Sequence, residues 1–229
     1  MTSARETILN KLRSARRPFD DATPRPQAYI PVIPVENTEP DSLIARFIQE
    51  MDLLKGKAFA VKGDDEASAL ILDLLRQHNV DHVLAWEYRH IPVAGLEDVL
   101  RSAGIRVTQP RVHEERSPEL MAHLGSAGAG VSGVDTAVAM TGTLILSSGE
   151  GKGRIPTVLP PVWIAVVALE QLVPRLEDWL ASERAHGMTT VHERANLAFV
   201  TGPSRTGDIE MQLILGVHGP GTEYVIIKQ

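Results

Sequence analysis

From Lys57 onward, short apolar runs alternate with amphipathic stretches, and no other feature of the sequence constrains the fold as tightly. Lys57–Lys62, His82–Trp86, Ile105–Gln109, Thr143–Ser147, Trp163–Ala168, Asn196–Thr201 and Glu223–Ile227 read as strands. Helical periodicity fills the segments from Gly63 to about His78, over Gly95–Ala103, over Glu119–Leu124 and from about Pro174 to Glu183. Pro174 fits the first turn of that last helix, where its missing N–H costs nothing. Asp208–Leu215 reads as a helix or a turn. Strands alternating with helices at this spacing predict an α/β chain, a three-layer αβα unit with a mostly parallel sheet covered on both faces.

The first 55 residues follow a different pattern. Ser3 and Glu6 form a capping-box pair that opens a helix with Ile8, Leu9 and Leu12 on one side, fading near Arg16-Arg17-Pro18. Pro18, Pro24, Pro26, Pro31, Pro34 and Pro40 then punctuate an extended arm. A second helix follows, with Asp41 as its cap and Leu43, Ile44, Phe47, Ile48 and Met51 as its apolar stripe. The expected division is an N-terminal helical arm, residues 1–55, and an α/β domain, residues 56–229.

Charge and composition exclude several functions. A net charge of −6 without a dense Lys/Arg run gives no electrostatic footprint for nucleic acid. The longest apolar stretch, Val158–Leu169, is too short to span a membrane, and the first residues lack a signal-peptide core, so a cytoplasmic location is expected. The chain has no cysteine, which removes disulfides, thiol catalysis and Cys-ligated iron–sulfur clusters. The histidines show no metal-ligand spacing, so no metal site is expected, and no cofactor is indicated.

Four glycine-rich segments invite a chemical reading. Gly128-Ala129-Gly130-Val131-Ser132-Gly133 matches G-x-G-x-x-G with Glu150 downstream, but it lies midway along the chain and follows a helical segment instead of a first strand. A tight turn whose small residues allow close packing accounts for it better than a dinucleotide site. Ser147-Ser148-Gly149-Glu150-Gly151-Lys152-Gly153-Arg154 directly follows an apolar strand, the position at which open α/β sheets bind ligands. Gly149, Gly151 and Gly153 let backbone approach a ligand, and Lys152 and Arg154 supply cationic donors. The competing explanation is a solvated loop. Thr141-Gly142-Thr143 offers two hydroxyls beside a glycine, or a turn with ordinary capping.

Gly202-Pro203-Ser204-Arg205-Thr206-Gly207-Asp208-Ile209-Glu210 follows the last strand but one. Ser204 and Thr206 are natural N-caps, Arg205 is suited to gripping a carboxylate, and Asp208 and Glu210 are acid/base candidates. A capped helix start with solvated charges is the alternative. His218, between Gly216 and Gly219, can transfer protons near neutral pH or simply hold its loop. Trp163 and Trp179 sit in apolar context and read as core.

Two runs carry a family resemblance. GVSGVDTAVAMTGTLILSSGEGKGRIPTVLPPVWIAVV, Gly130–Val167, resembles the central block of the LUD-domain family, and TGPSRTGDIEMQLILGVHGP, Thr201–Pro220, looks like its C-terminal signature. The affinity is to the lactate-utilisation C group. The resemblance implies a fold like the sugar-phosphate isomerase, CoA-transferase and formyltetrahydrofolate cyclo-ligase group. It also implies work alongside iron–sulfur partner proteins that oxidise L-lactate to pyruvate; without cysteine this chain is expected in substrate binding or assembly, and the two glycine-rich loops at strand ends suggest a small anion as its ligand. The fold's relatives suggest an alternative, a free-standing enzyme acting on a CoA ester, a sugar phosphate or a folate. Family members often carry an acid just before the TGT segment; this chain has Met140, and Asp135 is the nearest carboxylate.

Overall fold

The computed structural model describes residues 3–14, 34, 35, 37–111, 117–207 and 213–229. The chain divides into two compact units, Met1–Pro34 and Val35–Gln229. The first contains α1 (Ala4–Ser14), which buries none of its residues. Its capping box forms as expected: Glu6 N–H donates to Ser3 Oγ at 3.2 Å, and Ser3 N–H to the Glu6 carboxylate at 2.9 Å.

In the second unit the chain runs through α2 (Pro40–Leu53), β1 (Lys57–Val61), α3 (Gly63–Gln77), β2 (His82–Ala85), α4 (Leu96–Ser102), β3 (Arg106–Thr108), α5 (Pro118–Gly125) and β4 (Ala129–Ser132). It continues through β5 (Thr136–Val138), β6 (Thr143–Ser147), α6 (Ile155–Val158), β7 (Val162–Ala168), β8 (Leu172–Val173), α7 (Leu176–Ala185) and α8 (Thr189–Glu193). The last elements are β9 (Leu197–Thr201), β10 (Arg205–Gly207), β11 (Leu213–Leu215) and β12 (Thr222–Lys228).

Among the described residues, six strands form one sheet in the order β1-β12-β7-β4-β2-β3, and every neighbouring pair is parallel. β7 lies between β12 and β4 with all its residues buried, as a strand covered on both faces requires. Side chains alternate between those faces. On β2, Val83 and Ala85 join the core built with Ile71, Leu75, Leu96 and Leu100 of α3 and α4, while Leu84 turns the other way onto Leu124 and Ala127, with Leu120 and Ile155 packed around them. Helices therefore cover both sides of a parallel sheet, as the alternating pattern predicts. α2, adjacent to the proline-rich arm in sequence, buries Phe47 and Met51 completely in this same core.

A second sheet, β8-β5-β6-β9, pairs β5 with β6 and β6 with β9 antiparallel, and β5 with β8 parallel. Three- and two-residue strands such as β5 and β8 are too short to show a period, so the sequence signals only β6 and β9 of this sheet. Val138 and Ile145 pack under Trp179 of α7 on one face, and Ala137 and Leu144 enter the main core on the other.

Local details differ from expectation in five places. Pro40 occupies the first turn of α2 and Glu39 the cap position, so Asp41 is already helical. Pro174 precedes α7, whose cap is Arg175. Leu213–Leu215 is a strand antiparallel to β10, not a helix or turn; residues 208–212 lie outside the described residues. Ser204 and Thr206 cap no helix, since β10 begins at Arg205. Ala129–Ser132 is a buried strand, not a turn, although its glycines do serve close packing. A Cβ on Gly130 would meet the Pro156 carbonyl oxygen at 1.7 Å, and one on Gly133 the His90 carbonyl oxygen at 2.0 Å.

Candidate functional site

β6 sorts the candidate residues into two groups. Its register sets Thr143 opposite Thr201 and Ser147 opposite Leu197. The loop after β6 and the turn after β9 therefore lie at opposite ends of a five-residue strand, about 13 Å apart at roughly 3.3 Å per residue. Gly149, Glu150, Gly151, Gly153 and Arg154 gather at one end, and Thr141, Gly142, Thr143, Gly202, Ser204 and Arg205 at the other.

The 149–154 loop closes on itself and on the carboxyl end of β2. Gly149 and Lys152 exchange backbone hydrogen bonds at 3.2 Å, and Gly151 takes the left-handed turn at φ 74°. Glu87 N–H donates to the Gly151 carbonyl at 2.8 Å, Trp86 Nε1 to the Gly153 carbonyl at 2.8 Å, and His90 Nε2 lies 3.0 Å from the Glu150 carbonyl. Lys152 points inward and is buried. Its ammonium donates to the Asp135 carboxylate and, at 2.8 Å, to Ser147 Oγ, and it lies 5.8 Å from the centre of the Trp86 ring. The second Asp135 oxygen accepts from the Ser147 backbone N–H. Glu150 is exposed, and Arg89 lies 3.6 Å from it and 2.8 Å from Glu87.

Beside this fixed loop lies a cavity of about 510 Å³. Arg111, Ser148, Gly149, Gly153, Arg154 and Asn196 form its polar side, and Leu120, Met121, Leu124, Ile155 and Val158 its apolar wall. Among the described residues neither Arg111 nor Arg154 is paired with a carboxylate. A third guanidinium, that of Arg194, lies 3.0 Å from where a Gly149 Cβ would stand. Arg111 and Arg194 carry no local signal in the sequence; only the fold brings them to the loop.

At the other end, Thr141 and Thr143 share a hydroxyl contact of 2.8 Å, and Thr143 and Thr201 one of 2.9 Å. Gly142 and Gly202, both at positive φ, press against Leu54 at the end of α2. The Arg205 guanidinium donates to the Leu54 carbonyl. Ser204 ties in the following segment: its N–H donates to the Pro220 carbonyl and its carbonyl accepts from Gly216 N–H, each at 2.9 Å. Thr206 pairs with Ile214 across β10 and β11, and His218 is exposed. Asp208 and Glu210 lie outside the described residues.

Glu223 has no counterpart among the sequence candidates. It stands on β12 opposite Trp163, 1% exposed, and neither carboxylate oxygen has a hydrogen-bond partner among the described residues. Burial pushes its carboxyl up to about 7, against the pull of the Arg205 guanidinium. A single acid within the apolar run Tyr224–Ile227 and its neighbours was the available signal. No group of three or more His, Asp or Glu among the described residues is arranged to hold a metal ion, and no described helix is long and apolar enough to cross a membrane.

A ligand-sized cavity thus lies beside a glycine-rich loop at the carboxyl ends of β2 and β3 of the parallel sheet, the position at which open α/β sheets bind ligands. The chain belongs to the LUD domain family, whose model matches residues 44–227. It is 30% identical over 230 residues to lactate utilization protein C of Halalkalibacterium halodurans, covering 96% of this chain and 95% of that one. Lactate utilization protein C 1 of Bacillus mycoides is 39% identical over 105 residues, 44% of each chain. A crystal structure of a DUF162 family protein from Deinococcus radiodurans superposes with a TM-score of 0.62 at 23% identity. It covers 84% of this chain and 100% of that one, a likeness of fold.

Proposed function

We propose that this protein is a component of lactate utilisation, working beside iron–sulfur partner proteins that oxidise L-lactate to pyruvate. The observation that carries this is the near-complete, 30% identical match to a lactate utilization protein C. The composition supports a division of labour: without cysteine this chain holds no Cys-ligated cluster, so electron transfer falls to a partner. The chain's own contribution is binding. The 149–154 loop, with Arg154 from its own run and Arg111 beside it, holds the anionic group of a ligand.

The test is genetic. Deleting the gene from its host is expected to abolish or strongly slow growth on L-lactate as sole carbon source, with normal growth on glucose and restoration by the wild-type gene. Undiminished growth on lactate in a strain with no other lactate oxidase would refute the proposal.

A further inference from the structure

We infer that the cavity beside the 149–154 loop takes an amphipathic anion: an acidic head on Arg154 and Arg111, and an apolar body on Met121, Ile155 and Val158. The inference rests on the reading of that loop as an anion site and names the ligand class it serves. Size is the first argument. About 510 Å³ falls within the roughly 300–1,000 Å³ of pockets that enclose drug-sized ligands, far more room than a small hydroxy acid occupies.

The second argument is the segregation of the lining. Cationic and polar groups come from the loop, the segment after β3 and Asn196 just before β9, whereas the apolar wall comes from α5 and α6. Lactate would satisfy the arginines and leave that wall wet. The wall is also left uncovered at the cavity mouth: Met121 is 41% exposed and Val158 50%. Large apolar side chains at a cavity mouth gain from being covered, at about 25 cal/mol per Å² removed from water.

The third argument is preorganisation. Lys152, Trp86 and the Glu87 backbone already hold the loop, and the two lining guanidinium groups have no carboxylate partner among the described residues. Binding therefore needs little ordering of the loop backbone, which favours affinity.

Calorimetric titration of the full chain with octanoate, L-lactate and 1-octanol separates the contributions of head and body. Octanoate is expected to bind at one site per chain, at least tenfold more tightly than L-lactate and 1-octanol. Arg154→Gln and Val158→Asp, both at exposed positions, are each expected to weaken octanoate at least tenfold without changing the unfolding temperature. L-lactate binding as tightly as octanoate would overturn the inference while leaving the anion site standing. If 1-octanol matches octanoate, or if none of the three binds, the anion site falls with it. Octanoate binding indifferent to both variants would place the ligand elsewhere and likewise reject the inference.

Discussion

Glu223 concentrates the electrostatic tension of the molecule in one residue. A carboxyl that titrates near 7 in the fold and near 4.5 in the unfolded chain holds its proton more tightly when folded. Its contribution to stability is therefore best at acid pH, declines as pH rises from about 4.5 to 7, and is flat above that. The shift corresponds to a cost on the order of 3 kcal/mol once the group is ionised. Glu223→Gln keeps the shape and removes the titration. Urea unfolding at pH 5 and pH 8 should show the variant gaining about 2–3 kcal/mol on the wild type between the two; an equal difference at both values would contradict the assignment. Lys152 illustrates the opposite outcome for a buried charge. With an aspartate, a serine hydroxyl and an indole ring around it, it fixes the loop from inside. Composition alone could not separate it from Arg154, two positions on, which is exposed.

At the level of elements, the contact that matters most for the cavity is the one between β4 and α6. Gly130 lets the Pro156 carbonyl lie where any side chain would be, and α6 carries Ile155 and Val158 of the apolar wall. A backbone atom cannot swing aside as a flexible side chain can, so Gly130→Ala must push α6 off the sheet. The expected result is a loss of about 2–3 kcal/mol or more in urea unfolding, together with weaker octanoate binding. Gly125→Ala, where an added Cβ meets nothing within 4 Å, is the control and should change neither. If both variants behave alike, the close approach of β4 to α6 is not what holds the wall. The short strands β5 and β8 teach a related lesson: pairing with β6 and burial against Trp179 and the main core, not local propensity, make them strands.

At the scale of the molecule, the two compact units differ in what their described residues bury. α1 buries no residue, whereas residues 35–229 contain a core that runs from Leu43 to Ile227. A chain beginning at Val35 is therefore expected to unfold in a single cooperative transition, within a few degrees of the full chain's midpoint, since a change of about 1 kcal/mol moves a domain of this size by roughly 2–4 °C. Loss of the cooperative transition in calorimetry would show that the first unit is needed to complete the fold.

The sequence by itself determined the α/β alternation, the helix stripes, the extent of β6, the absence of any thiol chemistry and the family resemblance, because each of these is written in local periodicity, composition or contiguous motif. It also marked both glycine-rich loops, since glycine beside arginine and hydroxyl residues is visible in a few consecutive positions. Only the tertiary structure decided that the two loops stand at opposite ends of one strand, that Arg111 and Arg194 join the first of them, that G-x-G-x-x-G is a strand pressed against α6, and that Glu223 is sealed in with no hydrogen-bond partner among the described residues. The reason is that strand register and burial arise from pairings such as Thr143 with Thr201 and Glu223 with Trp163. No local pattern encodes which distant residues will meet.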